Sequence, residues 1–195
     1  MDLIEHKLGY FYHESSVIDE GARIGKGSKI WHWTHISSNS KIGENCSFGQ
    51  GVYVGNNVKV GNRVKVQNNV SIYESVILED DVFCGPSMVF TNVLNPRSSI
   101  ERKNEYKKTV VKKGASIGAN ATIICGNSIG QYSFVAAGAV VTKEVQNFSL
   151  VAGVPAEHLY WISSQGHEIK FKGSYGKCIG SGESYKLQNQ KITKI

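Results

Sequence analysis

The chain has 195 residues, with 21 glycines, 3 prolines, 41% hydrophobic and 19% charged residues. That length suffices for one domain with a real core, and the modest glycine and scarce proline exclude collagen-like and low-complexity classes. A formal charge of +6 favours anionic partners, without choosing among nucleic acid, a membrane surface and phosphorylated small molecules.

No run approaches the roughly eighteen apolar residues of a membrane span. The opening MDLIEHKLGYFYHE has no apolar stretch after a basic start, so neither a signal peptide nor membrane insertion is expected. Cys46, Cys84, Cys125 and Cys178 form no CxxC pair and read as buried, reduced thiols of a cytoplasmic protein.

In chain order, residues 1–17 carry the aromatic cluster Tyr10, Phe11 and Tyr12 and precede a six-residue period. Every sixth residue from Ile18 to Phe90 is apolar, through Ile24, Ile30, Ile36, Ile42, Phe48, Val54, Val60, Val66, Ile72, Leu78 and Cys84. Four residues after each stands a small or β-branched one, such as Ser28, Thr34, Val52 or Val70. The register resumes at Val111 and runs through Ile117, Ile123, Ile129, Val135 and Val141. A period of six fits neither a helix nor a plain strand. It fits a short strand plus a corner, three of which make a triangular coil; coils then stack ~4.8 Å apart through parallel ladders. A β-sandwich would instead need strands spaced by about 8–12 residues and hairpin turns.

The expected fold is therefore all-β, a parallel β-helix over 18–146 with residues 1–17 as a cap. Between Phe90 and Val111 the register jumps by twenty-one residues, no multiple of six, so an extruded loop is expected at 91–110. Residues 147–195 follow as a C-terminal region. In it, AEHLYWISS reads as a short helix starting at Pro155, and the segment from about 166 reads as a small β-hairpin.

Three segments are chemically dense. The loop carries Asn92, Asn95, Arg97, Arg102, Lys107 and Lys108, which suit an anionic ligand. Below it, Gln67, Asn68, Asn69, Tyr73 and Glu74 offer amides, a phenol and a carboxylate to sugar hydroxyls and an amine. Residues eighteen apart stack, which places Glu74 under Asn92. Asn68 and Asn69 suit a ladder of turn asparagines equally well, since Asn56, Asn57 and Asn62 occupy earlier turns. The third segment runs from Gly118-Ala119-Asn120 through Ala136-Ala137-Gly138 to Thr142-Lys143, near Gly153-Val154-Pro155-Ala156. Its small residues either pack corners or open the backbone to a ligand.

The period resembles the hexapeptide-repeat acyltransferases, and that resemblance implies a left-handed helix, opposite to the usual crossover rule. IWHWTHI, QNNVSIYE, LEDDVFCGPSMVFTNVLNPRS, IERK and GVPA, spread over about residues 10–165, resemble the nucleotide-sugar N-acetyltransferases of surface-polysaccharide synthesis. The motifs are most similar to the enzymes acetylating the 3-amino group of UDP-2-acetamido-3-amino-2,3-dideoxyglucuronate. The resemblance implies acetyl-CoA as co-substrate, a UDP-amino sugar as acceptor, a homotrimer with sites between subunits, and no nucleic acid.

On that reading Asn92 and Glu74 position the amine, and the departing sulfur is the final proton acceptor. Gln67, Asn68 and Tyr73 meet the sugar, His32 and Trp33 contact the nucleotide, and Arg97 or Arg102 pairs with the substrate carboxylate. Ala119, Ala137, Gly138, Thr142, Lys143 and Pro155 line the coenzyme. His32 and His35 are the only prism histidines, and about three coils, or ~15 Å, separate them from the acyl donor. A zinc-ribbon-like ending belongs to the similar subgroup. Here it is reduced to Cys178 with Gly182, Glu183 and Tyr185, and one cysteine cannot close a zinc site, so no metal is expected.

The competing readings are acetylation of a dTDP-3-amino-3,6-dideoxyhexose, O-acetyl transfer, a prism-type carbonic anhydrase and a non-enzymatic scaffold. O-acetyl transfer calls for a histidine near the acceptor, and residues 72–109 contain none. The anhydrase needs three zinc-binding histidines, and an ice-binding scaffold needs outward threonine arrays, which are absent.

Overall fold

Two-residue strands alternate with short corners from Phe11 onward, in a computed structural model that describes residues 3–195. The result is a parallel β-solenoid of about eight turns. Face A stacks Phe11–Tyr12, Lys29–Ile30, Ser47–Phe48, Lys65–Val66, Phe83–Cys84, Ser116–Ile117, Phe134–Val135 and Ser149–Ala152. Face B runs from Val17–Ile18 through Ser71–Ile72 to Val140–Val141, and face C from Arg23–Ile24 to Thr109–Val111. Registers advance by eighteen residues, as in Lys29↔Ser47 and Ser71↔Tyr53.

In the two-residue strands of the coils the second residue points inward. Ile30, Ile36, Phe48, Val54 and Ile72 are fully buried, in one continuous core from Tyr10 to Ala156. Ser28, Thr34 and Ser40 are buried too, and each hydroxyl donates to a corner carbonyl: Gly43, Gly49 and Ser37 respectively. Outward positions distinguish the faces. Arg23, Lys41 and Lys59 stand directly opposite one another on neighbouring strands of face C. Face B presents Val17, His35, Tyr53, Ser71, Val89, Thr122 and Val140 and carries no lysine, arginine or carboxylate among these outward positions.

Corners bring backbones into contact. A Cβ at Gly25 would lie 2.5 Å from the carbonyl carbon of Gly43, so only glycine lets these two coils stack. The third corner residue adopts positive φ, at Asn39, Asn57, Asn69 and Asp81 as well as at Trp33. Asparagine and aspartate tolerate that region, whereas tryptophan rarely enters it.

Leu78 pairs with Val111 and Phe90 with Ile123, thirty-three residues apart instead of eighteen, so fifteen extra residues are extruded between coils. Asn92 O accepts from Lys107 N at 2.9 Å and closes the neck. Within the loop are a bridge between Arg97 and Ile100 and a 3-10 turn at Lys103–Glu105.

Both ends depart from expectation. Coiling begins at Phe11, inside the segment expected as a cap, because Phe11–Tyr12 pairs in parallel with Lys29–Ile30. Ile4–Glu5 lies antiparallel on Phe11–Tyr12 and covers the first ladder edge. Residues 1–2 of the expected cap lie outside the described residues. At the other end, the expected helix after Pro155 is a strand, Glu157–Trp161, antiparallel to Ser149–Ala152. The last coil leaves an open ladder edge there, and pairing it outweighs the weak helical pattern of a short run.

The expected hairpin is an antiparallel sheet of four strands: Ile169–Lys172, Tyr175–Cys178, Ser184–Gln188 and Lys191–Lys194. Its inner face, with Ile169, Cys178, Tyr185 and Ile192, packs on Phe148, Tyr132 and Trp161. All four cysteines are free and buried, and burial pushes the Cys84 thiol up to about 12.

Glu183 ties the tail sheet together. It accepts from Lys194 Nζ, from the Tyr185 hydroxyl and from Ser164 Oγ. These donors, Lys194 foremost, hold its carboxyl down at about 2 against an ordinary 4.5. A depressed folded-state value means stability that is present above pH 4.5 and lost as pH falls toward 2. Hydrogen-exchange protection of the tail amides is therefore expected to collapse across that window before protection of the coils does. In Glu183→Gln the tail should be weakly protected already at neutral pH, with no further acid step.

Candidate active site

The residues singled out from the sequence fall on the two edges that bound face B. The edge between faces A and B carries Trp31-His32-Trp33, Gln67-Asn68-Asn69, Gly118-Ala119-Asn120 and Ala136-Ala137-Gly138, with Pro155 at its upper end. Tyr73, Glu74, Asn92, Thr142 and Lys143 lie on the edge between faces B and C, and the loop bearing Arg97 and Arg102 leaves from it. Glu74 is level with Gln67 and Asn68, and the Ser71↔Val89 register carries Asn92 one rung higher.

On the first edge, Asn68 belongs to the turn ladder. Its Oδ1 accepts from Gln50 N at 2.9 Å, as Asn62 Oδ1 does from Glu44 N and Asp80 Oδ1 from Asn62 N. Capture on this edge stops there, since Pro86 above it has no side-chain acceptor and, among the described residues, the Asn68 amide itself bonds to no protein acceptor. Pro86 has no N–H, and among the described residues the amides of Ala119 and Ala137 bond to no protein acceptor. Ala137 and Gly138 are exposed, and a Cβ at Gly138 would meet nothing within 4 Å. Gly118 differs: a Cβ there would lie 2.4 Å from Ala137 N, so this glycine serves coil stacking.

Lower on the same edge, His32 stacks on the buried His13 with ring centroids 3.6 Å apart, and Trp31 lies parallel beyond it. His32 is thus packed between rings, whereas Trp33 is 64% exposed. Four rungs, ~19 Å, separate His32 from Ala119.

On the second edge, Glu74 Oε1 accepts from Asn57 Nδ2 at 2.9 Å. Tyr73 continues a line of rings across face B. Its centroid is 6.2 Å from Tyr53, which is 5.6 Å from His35, whose Nε2 meets Asp19 Oδ2 at 3.1 Å. In the loop, Arg102 Nη1 donates to Glu105 at 2.8 Å, while its buried Nε has no partner. Arg97 donates only to Pro96 O and is exposed. Of the two arginines expected to take a carboxylate, Arg102 already has one. Lys143 donates to Glu157 at 2.7 Å, but with 63% and 59% of the side chains exposed the pair contributes about 0–1 kcal/mol and yields readily to a phosphate.

Tyr53, Asp19 and Glu105 escaped sequence reading, which takes Asn57 as a turn residue alone. The eighteen-residue spacing His35–Tyr53–Ser71 was the available signal for Tyr53. Among the described residues no group of three or more His, Cys, Asp or Glu is placed to hold a metal ion. A cavity of about 630 Å3 opens between the last coil and the tail sheet, lined by Lys112, Gln146 and Lys191, and none of the candidate residues belongs to it.

Comparison with known proteins follows the same geometry. Residues 21–56 match the family described as bacterial transferase hexapeptide (six repeats). Residues 40–74 and 109–143 match the hexapeptide repeat of succinyl-transferase, and the gap between them contains the extruded loop. A dTDP-3-amino-3,6-dideoxy-α-D-galactopyranose 3-N-acetyltransferase of Aneurinibacillus thermoaerophilus is 37% identical over 90 residues, 46% of each chain. The match thus spans just under half the length of that relative.

A hexapeptide-repeat acetyltransferase of Vibrio cholerae O1 biovar eltor, solved with acetyl coenzyme A, is 26% identical with a TM-score of 0.55, covering 63% of this chain and 70% of that one. A galactoside acetyltransferase in complex with coenzyme A is 25% identical with a TM-score of 0.57, covering 69% and 70%. Repeat, corners and likeness define the class: a left-handed parallel β-helix of hexapeptide repeats. Within it, the relatives named here are acetyltransferases, one of them named for a dTDP-linked 3-amino sugar.

The ladder role of Asn68 has a direct check. Asn68→Ala strands the Gln50 amide and is expected to lower unfolding free energy by about 1 kcal/mol in urea titration. Unchanged stability would return the side chain to ligand contact.

Proposed function

We propose that the chain transfers the acetyl group of acetyl-CoA to the amine of a nucleotide-linked amino sugar, as a homotrimer with sites between subunits. The observation that carries this is the pair of unengaged amides at Ala119 and Ala137, one strand spacing apart on an exposed small-residue edge. An extended chain bearing amides, such as pantetheine, pairs with donors so spaced; Thr142 and Lys143, which suit its phosphates, lie on the opposite edge of face B and so come from a neighbouring copy. The coenzyme complexes of the two solved relatives support the same donor.

The acceptor groups Glu74 and Asn92 lie on the opposite edge of face B. Setting the edge of one copy beside the other edge of a second brings donor and acceptor groups together, which supports the trimer. The sugar we assign is UDP-2-acetamido-3-amino-2,3-dideoxyglucuronate, on the motifs that resemble its acetyltransferases, with exposed Arg97 facing the carboxylate. The second reading, a dTDP-3-amino-3,6-dideoxyhexose, is favoured by the substrate in the name of the Aneurinibacillus relative.

The unprotonated amine attacks the thioester carbonyl, forming the C–N bond and a tetrahedral oxyanion, which a hydrogen-bond donor other than the two amides paired with pantetheine stabilises. Collapse breaks the C–S bond, and the proton leaving nitrogen ends on the departing sulfur. Asn92 and the carboxylate of Glu74, itself fixed by Asn57, orient the amine.

Thiol release from acetyl-CoA with a panel of UDP- and dTDP-linked 3-amino sugars tests the reading, and no release with any amine would overturn it. Asn92→Ala is expected to lower kcat about 10- to 100-fold with little change in sugar KM. Arg97→Ala should raise KM for the acidic sugar alone; equal loss with a neutral sugar would remove its carboxylate role. Ala137→Trp should raise KM for acetyl-CoA about tenfold or more at unchanged Tm, since the site is exposed and the ring would cover the free amides.

A further inference from the structure

The last thirty residues take no part in the chemistry above, yet they hold six lysines against two glutamates, four of the six net positive charges. Four of the lysines, Lys170, Lys172, Lys177 and Lys186, lie on one side of the tail sheet, whereas Lys194 shares the inner face with Tyr185 and Ile192. Ile169, Gly176, Cys178, Tyr185 and Ile192 face the prism, and the alternate positions face away. There Lys170 stands opposite Lys177, and Lys172, Tyr175 and Lys186 form a continuous row across three strands. Like charges directly opposite each other are destabilising. Among the described residues, Lys170 pairs with Glu168 and Lys194 with Glu183, while Lys172, Lys177 and Lys186 meet no carboxylate. The Lys186 ammonium instead lies 6.0 Å from the centre of the Tyr175 ring.

Apolar groups are exposed beside these cations. Ile179, at the tip of the turn closed by Gly182 N to Cys178 O, is 86% exposed, and Tyr175 and Ile195 are more than half exposed. Together with Lys170, Lys172 and Lys177 they border a groove of about 570 Å3.

We propose that the outer face of the tail sheet docks on anionic lipid headgroups. Unpaired lysines meet the phosphates while Ile179, Ile195 and the Tyr175 ring reach the headgroup boundary, a surface contact without a spanning segment. Single-stranded nucleic acid fits less well, because Tyr175 is the one outward aromatic of the sheet strands and bases need successive stacking platforms. The cation ladder of face C, Arg23, Lys41 and Lys59, has no such aliphatic groups beside it in its groove. This inference stands independently of acetyl transfer.

Sedimentation of the full chain with phosphatidylcholine vesicles, with and without phosphatidylglycerol, tests it. Binding is expected only with phosphatidylglycerol and is expected to fall with salt. K172Q/K177Q/K186Q should lower the partition coefficient about a hundredfold, roughly fivefold per lysine. I179S should weaken it further, and K41Q/K59Q on face C should leave it unchanged. Four outcomes would overturn the proposal: no binding, equal binding to both vesicle types, equal loss in the face C variant, or tighter capture of single-stranded RNA than of the anionic vesicles.

Discussion

Adjacent coils must approach to one strand spacing at their corners as well as along their faces. The chain meets that constraint in two ways. Glycine removes the Cβ where backbones touch, as Gly25 does over Gly43. Asparagine and aspartate occupy corners where a side-chain oxygen can collect the amide of the coil below, as Asn62, Asn68 and Asp80 do. On the edge between faces A and B the ladder stops at Asn68, because the next corners carry Pro86, Ala119 and Ala137, none with a side-chain acceptor. From there upward the middle amides of the corners at Ala119 and Ala137 point outward unpaired. The candidate donor site therefore lies in the stretch of this edge above the last captured amide, that of Gln50.

The same constraint decides where extra chain can go. An insertion within a strand would shift an inward aliphatic to the surface, so fifteen residues leave at a corner and return to it without disturbing the ladder. Thr91 Oγ1 and Thr109 Oγ1 flank the exit and accept from the amides of Cys125 and Gly126, doing for the interrupted corner what Asn68 does for an ordinary one. The loop thereby hangs from a fixed neck beside Glu74 and Asn92. Its own guanidinium at Arg102 is spent on Glu105, and the one at Arg97 stays open to solvent.

Periodic parts of the molecule were legible in the sequence, since an inward residue every six positions leaves a pattern that no other short-period structure shares. The extruded loop was legible for the same reason, as a break in phase. Pairing at the prism ends was not. Glu157–Trp161 joins the sheet because the final coil offers an unpaired edge, a fact about the neighbour and not about those five residues. Asn68 was ambiguous for a related reason: ladder and ligand ask the same amide for the same hydrogen bond. Contacts between unrelated positions, such as His13 on His32 or Lys143 with Glu157, follow no period and left no trace.

The cation row on face C has a meaning for the molecule in bulk. A flat parallel sheet is a repeating surface on which another prism can lie, coil matched to coil. Arg23, Lys41 and Lys59 recur at that same spacing, so a copy laid face C to face C would set its own row against an identical one. The repeat that makes the coils stack so well along the axis thus carries a charge that discourages two prisms from pairing through their C faces.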